Sequence, residues 1–247
     1  MSDPVPPPQH SAPAGARRPV PGLAVRGLAL GTLLLVAGRA LGPLPALAPF
    51  LDPTHGVWAA ARTAELPATA VGTIPGLRDS VTIAYDDRAV PHIFARNTDD
   101  AWRALGYVVA RDRLFQLELQ TRAAAGRLTE VAGPRALPLD REMRTLGIPR
   151  AAEAKWAARD PSAPATRAIE AYAAGVNAWI ARLTPRDLPL EYRLLGARPS
   201  RWEPVHSVLL LHRMGWTLAL SDEEVVRARA AALVGAEAAD ALFPEQE

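Results

Sequence analysis

The stretch Gly106–Glu118, with the sequence GYVVARDRLFQLE, lies inside the longest helical pattern of this 247-residue chain. Apolar side chains recur around it at intervals of three and four residues, which predicts a helix over roughly 99–124 that is capped by Thr98 or Asp99. Ala125-Gly126-Arg127 follows and ends the pattern, as glycine commonly does just after a helix. A helix this long needs other elements to cover its apolar side, so the flanking segments decide the fold.

Two polar side chains interrupt apolar patterns. Asp112 falls on the apolar stripe of the long helix, between Arg111 and Arg113. A carboxylate on an apolar face needs a partner, so we interpret Asp112 as part of a buried ion-pair network. His92 follows a proline in a predicted strand, and we interpret it as a structural, hydrogen-bonded histidine in the interior.

Upstream of the long helix, the sequence predicts a hairpin. Residues 80–85 (SVTIAY) alternate and are β-branched, which is typical of a strand. Residues 86–89 form a turn, and residues 90–95 (VPHIFA) form a second strand whose Pro91 favours an edge position.

Downstream, the sequence predicts more helices. Asp140–Leu146 is a short helix, and residues 164–183 give the clearest amphipathic pattern. Residues 185–204 form a proline-containing loop. Residues 205–220 are apolar nearly all round, so we expect a buried helix there. Ser221 then opens a last helix that runs to about Leu242.

The N-terminal quarter has a different composition. Residues 1–23 are rich in Pro, Ser, Ala and Arg and are predicted to be disordered. Residues 24–51 contain a basic flank and a short apolar run, the pattern of an export signal, and residues 52–76 form a linker. The apolar segment is an uncleaved membrane anchor, a cleaved signal peptide or a segment with no targeting role. The folded domain is expected over 77–247.

Charge and cysteine content exclude several classes. The formal net charge is +2, and residues 1–50 hold four arginines against one aspartate, so the basic excess lies in the leader. This distribution argues against a nucleic-acid-binding face. The chain has no cysteine, which excludes disulfides, cysteine nucleophiles and thiolate zinc sites.

Five segments in order resemble the penicillin acylase family. The family strings are D-x-x-G-V-P-H-I, G-Y-x-x-A-x-D-R-L-F/W-Q-M-E, G-R-L-A-E…G, A-Y-A-x-G-V-N-A-W-I and P-x-x-W-x-P. The matching segments are Asp86–Ile93, Gly106–Glu118, Gly126–Glu130 with Gly133, Ala171–Ile180 and Arg201–Pro204. The resemblance covers about residues 77–243.

The resemblance implies a fold and a reaction. It implies the N-terminal, α-subunit portion of an N-terminal nucleophile hydrolase. Its fold class is α+β, the mostly helical half of an αββα sandwich with a short N-terminal hairpin. The family hydrolyses linear amides of acylated amines, such as penicillins or N-acyl-homoserine lactones. It does so with a β chain whose N-terminal serine is the nucleophile and whose α-amino group is the base.

No residue of this chain is assigned as the catalytic nucleophile. Its serines are Ser2, Ser11, Ser80, Ser162, Ser200, Ser207 and Ser221. None begins a string of the β-chain type, and no G-x-S-x-G or H-E-x-x-H motif is present. We therefore expect the serine in a partner β chain and expect this polypeptide alone to be inactive.

Glu224 has two interpretations. The resemblance implies that Glu224 binds a structural calcium ion together with β-chain carboxylates, because one glutamate cannot supply the oxygens that calcium needs. The spacing alone favours the other interpretation, since Ser221-x-x-Glu224 is a capping box at a helix start.

Met214 and Leu218 are one helical turn apart and share a face. The resemblance implies that they line the acyl pocket. Leu218 stands where phenylacetyl-accepting enzymes have an aromatic residue, which favours an aliphatic acyl chain. The alternative is that both are ordinary core side chains.

The chain departs from the family pattern at two positions. Ala89 replaces a usual glycine, which costs stability if that turn needs a positive φ. His206 stands where the family often has an acidic residue.

Other functions remain open. The chain is a catalytic α portion, a membrane-tethered non-catalytic helical binding module, or an inactive truncated remnant. We expect an exported protein, periplasmic or extracellular, with membrane attachment through residues 24–51 as one possibility.

Overall fold

The computed structural model describes residues 21–39, 46–52, 56–58, 72–185, 187–219 and 223–243. The two strands are β1 (Thr82–Tyr85) and β2 (Pro91–Phe94). The helices of six or more residues are α1 (Pro21–Ala37), α3 (Thr98–Ala124), α5 (Leu137–Thr145), α6 (Ile148–Ala157), α7 (Pro164–Arg182), α8 (Leu190–Leu195), α9 (Pro204–Ala219), α10 (Glu223–Val234) and α11 (Ala236–Leu242). Single turns α2 (Ala48–Leu51) and α4 (Thr129–Ala132) and a 3-10 turn at Pro134–Ala136 complete the described elements.

Helix α1 covers part of the predicted apolar segment. It has 17 residues, and Leu28, Leu30 and the three leucines over 33–35 are exposed. Among the described residues, none of the helices is both long and apolar enough to cross a membrane. Residues 1–20 of the segment 1–23 that is predicted to be disordered lie outside the described residues, as does most of the predicted linker. The prediction of disorder is wrong for residues 21–23, because α1 begins at Pro21.

Strands β1 and β2 form the predicted antiparallel hairpin, in which Ile83 pairs with Ile93 and Ala84 with His92. The carboxylate of Asp86 holds the turn, because its Oδ1 accepts hydrogen bonds from the backbone N–H of Arg88 at 3.0 Å and of Val90 at 2.8 Å.

The interpretation of His92 as an interior histidine is wrong. Its side chain is 53% exposed, and its Nε2 lies 3.4 Å from Asp86 Oδ2 on the outer face of the hairpin. A two-stranded hairpin has one solvated face, and the strand register places His92 on it.

Ala89 is in the left-handed region with φ 59°, the one non-glycine residue with positive φ among the described residues. A Cβ in this region contacts the following carbonyl oxygen and costs about 1–2 kcal/mol.

We therefore expect Ala89→Gly to raise the unfolding free energy by roughly 0.5–1 kcal/mol, after the greater entropy of glycine in the unfolded chain is subtracted. Urea unfolding measures the change. Ala84→Gly in β1 is the matched control and should destabilise; equal effects would contradict strain at Ala89.

Helix α3 begins one residue earlier than the sequence predicts. Its N-cap is Asn97, whose side chain accepts from the N–H of Asp100 at 2.9 Å. The buried carboxylate of Asp100 in turn accepts from the backbone N–H groups of Arg78 at 3.0 Å and Asp79 at 2.9 Å. Burial acts to raise the pKa of Asp100, but these hydrogen bonds outweigh burial and lower the pKa. One side chain thus ties the segment before the hairpin to the start of the longest helix.

Helices α3 and α7 form the centre of the fold because two glycines let their backbones approach closely. A Cβ built at Gly106 would lie 2.1 Å from the carbonyl oxygen of Tyr172, and one at Gly175 would lie 1.9 Å from that of Arg103. Around this crossing, the first core cluster includes Ala110, Leu114, Val176, Tyr192 and Trp202.

Asp140 at the start of α5 holds the turn that follows α3. Its carboxylate accepts from the backbone N–H of Leu128 and of Thr129, both at 2.8 Å, and from the Thr129 hydroxyl at 2.5 Å. Gly126 in that turn has φ 62°, and a Cβ there would lie 2.6 Å from the Asp140 carbonyl oxygen. The Gly-Arg-Leu-Thr-Glu segment is therefore built around one buried carboxylate.

Several boundaries differ from the predictions. The short helix starts at Leu137 and not at Asp140, and the loop before α9 contains α8. Helix α6 was not predicted at all. The last predicted helix is two helices, because Gly235 between α10 and α11 has φ 89°. The coarse fold class is confirmed: the described chain is mostly helical, with one two-stranded antiparallel sheet.

Candidate functional site

A cavity of about 330 Å³ lies where α3, α6 and the start of α9 meet. Leu114, Trp202, Val205 and Leu209 give it an apolar wall. Its polar lining consists of Glu118, Thr121, Arg122, Arg127, Arg144, Glu153, Ser200, Arg201 and His206. The polar part decides whether the cavity is a binding site or a structural gap.

Glu118 is the centre of the polar lining. Its carboxylate accepts from Arg122 Nη2 at 2.7 Å, from the Ser200 hydroxyl at 2.8 Å and from the Tyr192 hydroxyl at 2.5 Å. Burial acts to raise the pKa of Glu118, but the hydrogen bonds from Tyr192, Arg122 and Ser200 outweigh burial and lower the pKa. Burial and the Glu118 carboxylate together raise the pKa of Tyr192.

The polar side chains at the floor of the cavity form hydrogen bonds with one another. Arg122 donates to Glu118, to Ser200 Oγ and to Glu130, and Arg127 donates to Glu130 at 2.7 Å. Glu118 and Arg122, whose side chains are 14% and 17% exposed, thus form hydrogen bonds with each other and with neighbouring protein groups. We conclude that this network joins α3 to α8 and to the segment before α9, and that its role is structural.

Helix α9 carries the two predicted acyl-pocket residues on an exposed face. Val208 and Leu209 are 5% and 6% exposed and pack into a second core cluster with Ala124, Met143, Ile148 and Ala152. On the other side, Leu211, Met214 and Leu218 are 61%, 57% and 79% exposed. The prediction that this helix is buried all round is therefore wrong for the described chain, because one face has no neighbour among the described residues.

We call Leu211, Met214 and Leu218 the α9 stripe. These three residues are spaced at i, i+3 and i+7, so they lie along one side of the helix. Gly215, between them in sequence, has no other atom within 4 Å of the place where a Cβ would stand. Met214 and Leu218 thus lie on the same side of α9, as the spacing predicts, and both side chains are exposed to solvent in this chain. Their role in an acyl pocket stays a prediction.

Glu224 lies in the first turn of α10, and its side chain is exposed. Ser221, the other residue of the predicted capping box, lies outside the described residues. In the part of the chain that is described, no three His, Cys, Asp or Glu side chains are placed to hold a metal ion. Calcium takes 6–8 oxygen ligands, so the described residues do not make a calcium site by themselves.

The interpretation of Asp112 as buried is also wrong. Its side chain is 36% exposed, and it pairs with Arg111 at 2.8 Å. Arg113 has non-helical angles, with φ −141° and ψ 24°, which interrupts α3 next to Asp112. The apolar stripe of a regular helix does not continue across this kink, and Asp112 turns away from the core.

The residue pairs that join the helices were not predicted. Asn177 on α7 donates to the carbonyl oxygen of Trp202 and accepts from its N–H, both at 2.8 Å. Tyr192 lies in a segment that was predicted as loop, so no periodic signal marked it as the donor to Glu118. Asn177 could have been noticed, because it is a polar residue on the otherwise apolar side of an amphipathic helix.

The sequence of the chain is similar to those of several known proteins. The sequence profile of the family described as Penicillin amidase matches residues 80–247. The chain is 45% identical over 143 residues to the penicillin acylase 2 proenzyme of Pseudomonas sp. strain SE83, covering 58% of this chain and 18% of that protein. It is 37% identical over 179 residues to the acyl-homoserine lactone acylase QuiP of Pseudomonas aeruginosa, covering 72% of this chain and 21% of that protein.

A solved structure is similar as well. Thermostable penicillin G acylase from Alcaligenes faecalis superposes with a TM-score of 0.54 at 26% sequence identity, covering 66% of this chain and 89% of that chain. The fold is therefore that of a chain from an N-terminal nucleophile hydrolase. More narrowly, the chain belongs to the penicillin amidase family. It spans about a fifth of the length of the curated relatives that it matches.

Proposed function

We propose that this chain is the α-chain portion of an amidohydrolase that cleaves the linear amide bond of an acylated amine, together with a β chain that begins with serine. The exposed α9 stripe carries the proposal. Burying a leucine or methionine side chain contributes about 1.5–3 kcal/mol, so three such side chains in line on one helix favour a covering partner. The word proenzyme in the name of one relative fits a protein that is processed into chains.

The chemistry belongs to the proposed β chain. Its N-terminal serine hydroxyl attacks the acyl carbon, and its own α-amino group, with a reference pKa near 8, takes the hydroxyl proton. The amine product leaves with that proton, and water then hydrolyses the acyl-enzyme ester to release the acid. In this scheme the present chain contributes the wall that contacts the acyl group, through Met214 and Leu218.

The relatives are named for two kinds of acylated amine, penicillins and acyl-homoserine lactones. We propose that this protein accepts an aliphatic acyl chain, because Leu218 provides a branched aliphatic side chain and no ring at the predicted wall. Linear acyl chains of N-acyl-homoserine lactones fit such a wall better than the ring of a phenylacetyl group does.

The experiment that tests the function compares this chain alone with this chain and its serine-starting β chain. We expect hydrolysis of N-acyl-homoserine lactones only by the pair, and a single peak for the pair in size-exclusion chromatography. Replacing the β-chain serine by alanine should leave the complex but abolish hydrolysis. If the chain instead stays monomeric in the presence of the β chain and binds none of it, the non-catalytic binding module is favoured.

The specificity prediction concerns Leu218→Phe in the assembled pair. A ring at this wall should shorten the pocket and favour phenylacetyl over long aliphatic amides by about tenfold in the ratio of kcat/KM values. Leu233→Phe is the matched control, because Leu233 is 84% exposed on α10 and has no predicted contact with substrate. Equal kcat/KM ratios for both variants would contradict a pocket at Leu218.

We also propose that Glu224 supplies one oxygen ligand to a structural calcium ion whose other ligands come from the β chain. An exposed carboxylate with its partners on another chain is consistent with the lack of a ligand cluster in the described residues. The thermal melting of the pair with and without calcium tests this proposal. Glu224→Gln should remove the calcium-dependent stabilisation, whereas the capping-box interpretation predicts the same loss of stability at all calcium concentrations.

The proposed location is outside the cytoplasm, in the periplasm or the medium, with residues 24–51 as the export signal. The exposed apolar side chains of α1 between Val25 and Val36 support this location. Fractionation of cells that produce the tagged protein checks the location, and recovery in the cytoplasm alone would contradict it.

A further inference from the structure

His206 lies in the first turn of α9, two residues after Pro204. Its Nδ1 lies 3.1 Å from the backbone nitrogen of Glu203, the residue before the helix. A side chain at the third helical position that accepts from the N–H of the N-cap residue forms half of a capping box, a role that glutamate and glutamine usually take. Here an imidazole occupies that position.

The hydrogen bond fixes the proton on the ring. A backbone N–H can only donate, so Nδ1 must present its lone pair, and the proton of the neutral imidazole must be on Nε2. Protonation of Nδ1 would turn the acceptor into a second donor that faces the Glu203 N–H. The contact therefore exists only while the imidazole is neutral.

We propose that His206 is a pH-sensitive cap, which holds the first turn of α9 at neutral pH and releases it on mild acidification. The ring is half-buried and lies edge-on to the buried Trp202, with the ring centroids 5.2 Å apart. Because Val205, His206 and Leu209 all line the 330 Å³ cavity, release of this turn also changes the cavity wall.

The surroundings oppose a positive charge on His206. Burial lowers its pKa, Arg127 and Arg122 act in the same direction, and Glu203 and Glu118 act against them. The remaining charged groups around the cavity are Arg144, Glu153 and Arg201. The positive end of the α9 dipole adds to the cost of an imidazolium. Since the folded-state pKa lies below the unfolded value of 6.5, the stabilisation is complete above about pH 6.5 and is lost as the pH falls through the folded-state pKa.

NMR of the full chain labelled with ¹⁵N at histidine gives the direct test. We expect the Nε2–H tautomer for His206 at pH 7.5 and a titration midpoint below 6.5. A proton on Nδ1 at pH 7.5 would overturn the proposal, because the neutral ring would then not accept from Glu203. A midpoint at or above 6.5 would also overturn it, because the folded chain would then not favour the neutral ring.

Variants test the consequence for α9. His206→Ala should melt about 2–4 °C below the parent chain at pH 7.5, and this difference should shrink to under about 1 °C at pH 5.5. His206→Glu, a carboxylate cap, should keep its advantage over His206→Ala at both pH values. In a His92→Gln background, the difference between His206 and His206→Ala should have the same pH dependence, because His92 lies on the hairpin and not on α9. A constant difference between the parent and His206→Ala from pH 7.5 to 5.5 would refute the cap.

Discussion

Gly175→Ala should lower the unfolding free energy of the chain by about 3 kcal/mol or more, which corresponds to a fall in Tm of roughly 6–12 °C. The added methyl group would stand 1.9 Å from the carbonyl oxygen of Arg103 and 2.8 Å from the nitrogen of Tyr107. Both are backbone atoms of α3, so no side-chain rotation relieves the contact. Helices α3 and α7 must separate, and the core cluster at their crossing loses its packing.

The control for this prediction is Gly215→Ala in α9. Both glycines are helical, and alanine in place of glycine favours a helix by about 0.5–1 kcal/mol. Gly215 has open space where the methyl group would stand, so this variant should gain that amount. Thermal melting of both variants therefore separates intrinsic helix propensity from close helix packing. Similar shifts of the same sign would mean that α3 and α7 do not approach as closely as the structure shows.

Glu118→Gln should cost about 2 kcal/mol, a fall in Tm of roughly 4–8 °C. The amide keeps the shape of the side chain but removes the charge that Arg122 pairs with, and its NH₂ group cannot accept from Tyr192 or Ser200. Because the Glu118 and Arg122 side chains are only 14% and 17% exposed, water replaces few of the hydrogen bonds that the variant loses. The variant should weaken the attachment of α8 and of the segment before α9 to the core.

The contribution of Glu118 to the stability of the chain depends on pH. Its folded-state pKa is lowered from an ordinary value of 4.5, so its contribution is present above that pH and is lost as the pH falls through the folded-state pKa. Glu118→Gln should therefore flatten the acid side of the stability profile without abolishing it, since Asp100 and Asp140 also have lowered pKa values. Glu153→Gln is the control on the same cavity and should stay within about 0.5 kcal/mol of the parent, because Glu153 is exposed.

Periodicity predicted the elements whose apolar positions repeat over many residues. Helices α3, α7 and α9 and the hairpin all fall within a few residues of their predicted bounds. Helix α6 was missed because its 10 residues, IPRAAEAKWA, offer few large apolar side chains. The division at Gly235 was missed because glycine in a helical pattern breaks the helix only where its φ becomes positive, and composition does not show that.

The candidate site was harder to predict than the fold. The sequence placed Met214 and Leu218 on one face, and the structure confirms that they lie together on it. It did not show that this face is exposed, because an apolar residue looks the same in a sequence whether its neighbour is in its own chain or in another. The sequence did not predict the Glu118 network, because Tyr192 and Ser200 are 74 and 82 residues away from Glu118 in the chain.

The two faces of α9 also differ in how freely their residues can be substituted. Val208 and Leu209 are constrained by the core of the chain itself, whereas Met214 and Leu218 are not. Exposed substitutions usually change stability by less than about 0.5 kcal/mol, so in the proposed assembly the acyl-contacting residues can vary without a loss of folding in this chain. Selection, or a directed-evolution library, can therefore explore new acyl groups at these positions while the opposite face keeps the helix in place. In the proposed assembly, substitutions on the exposed face of α9 change the acyl preference, while the buried face maintains the fold.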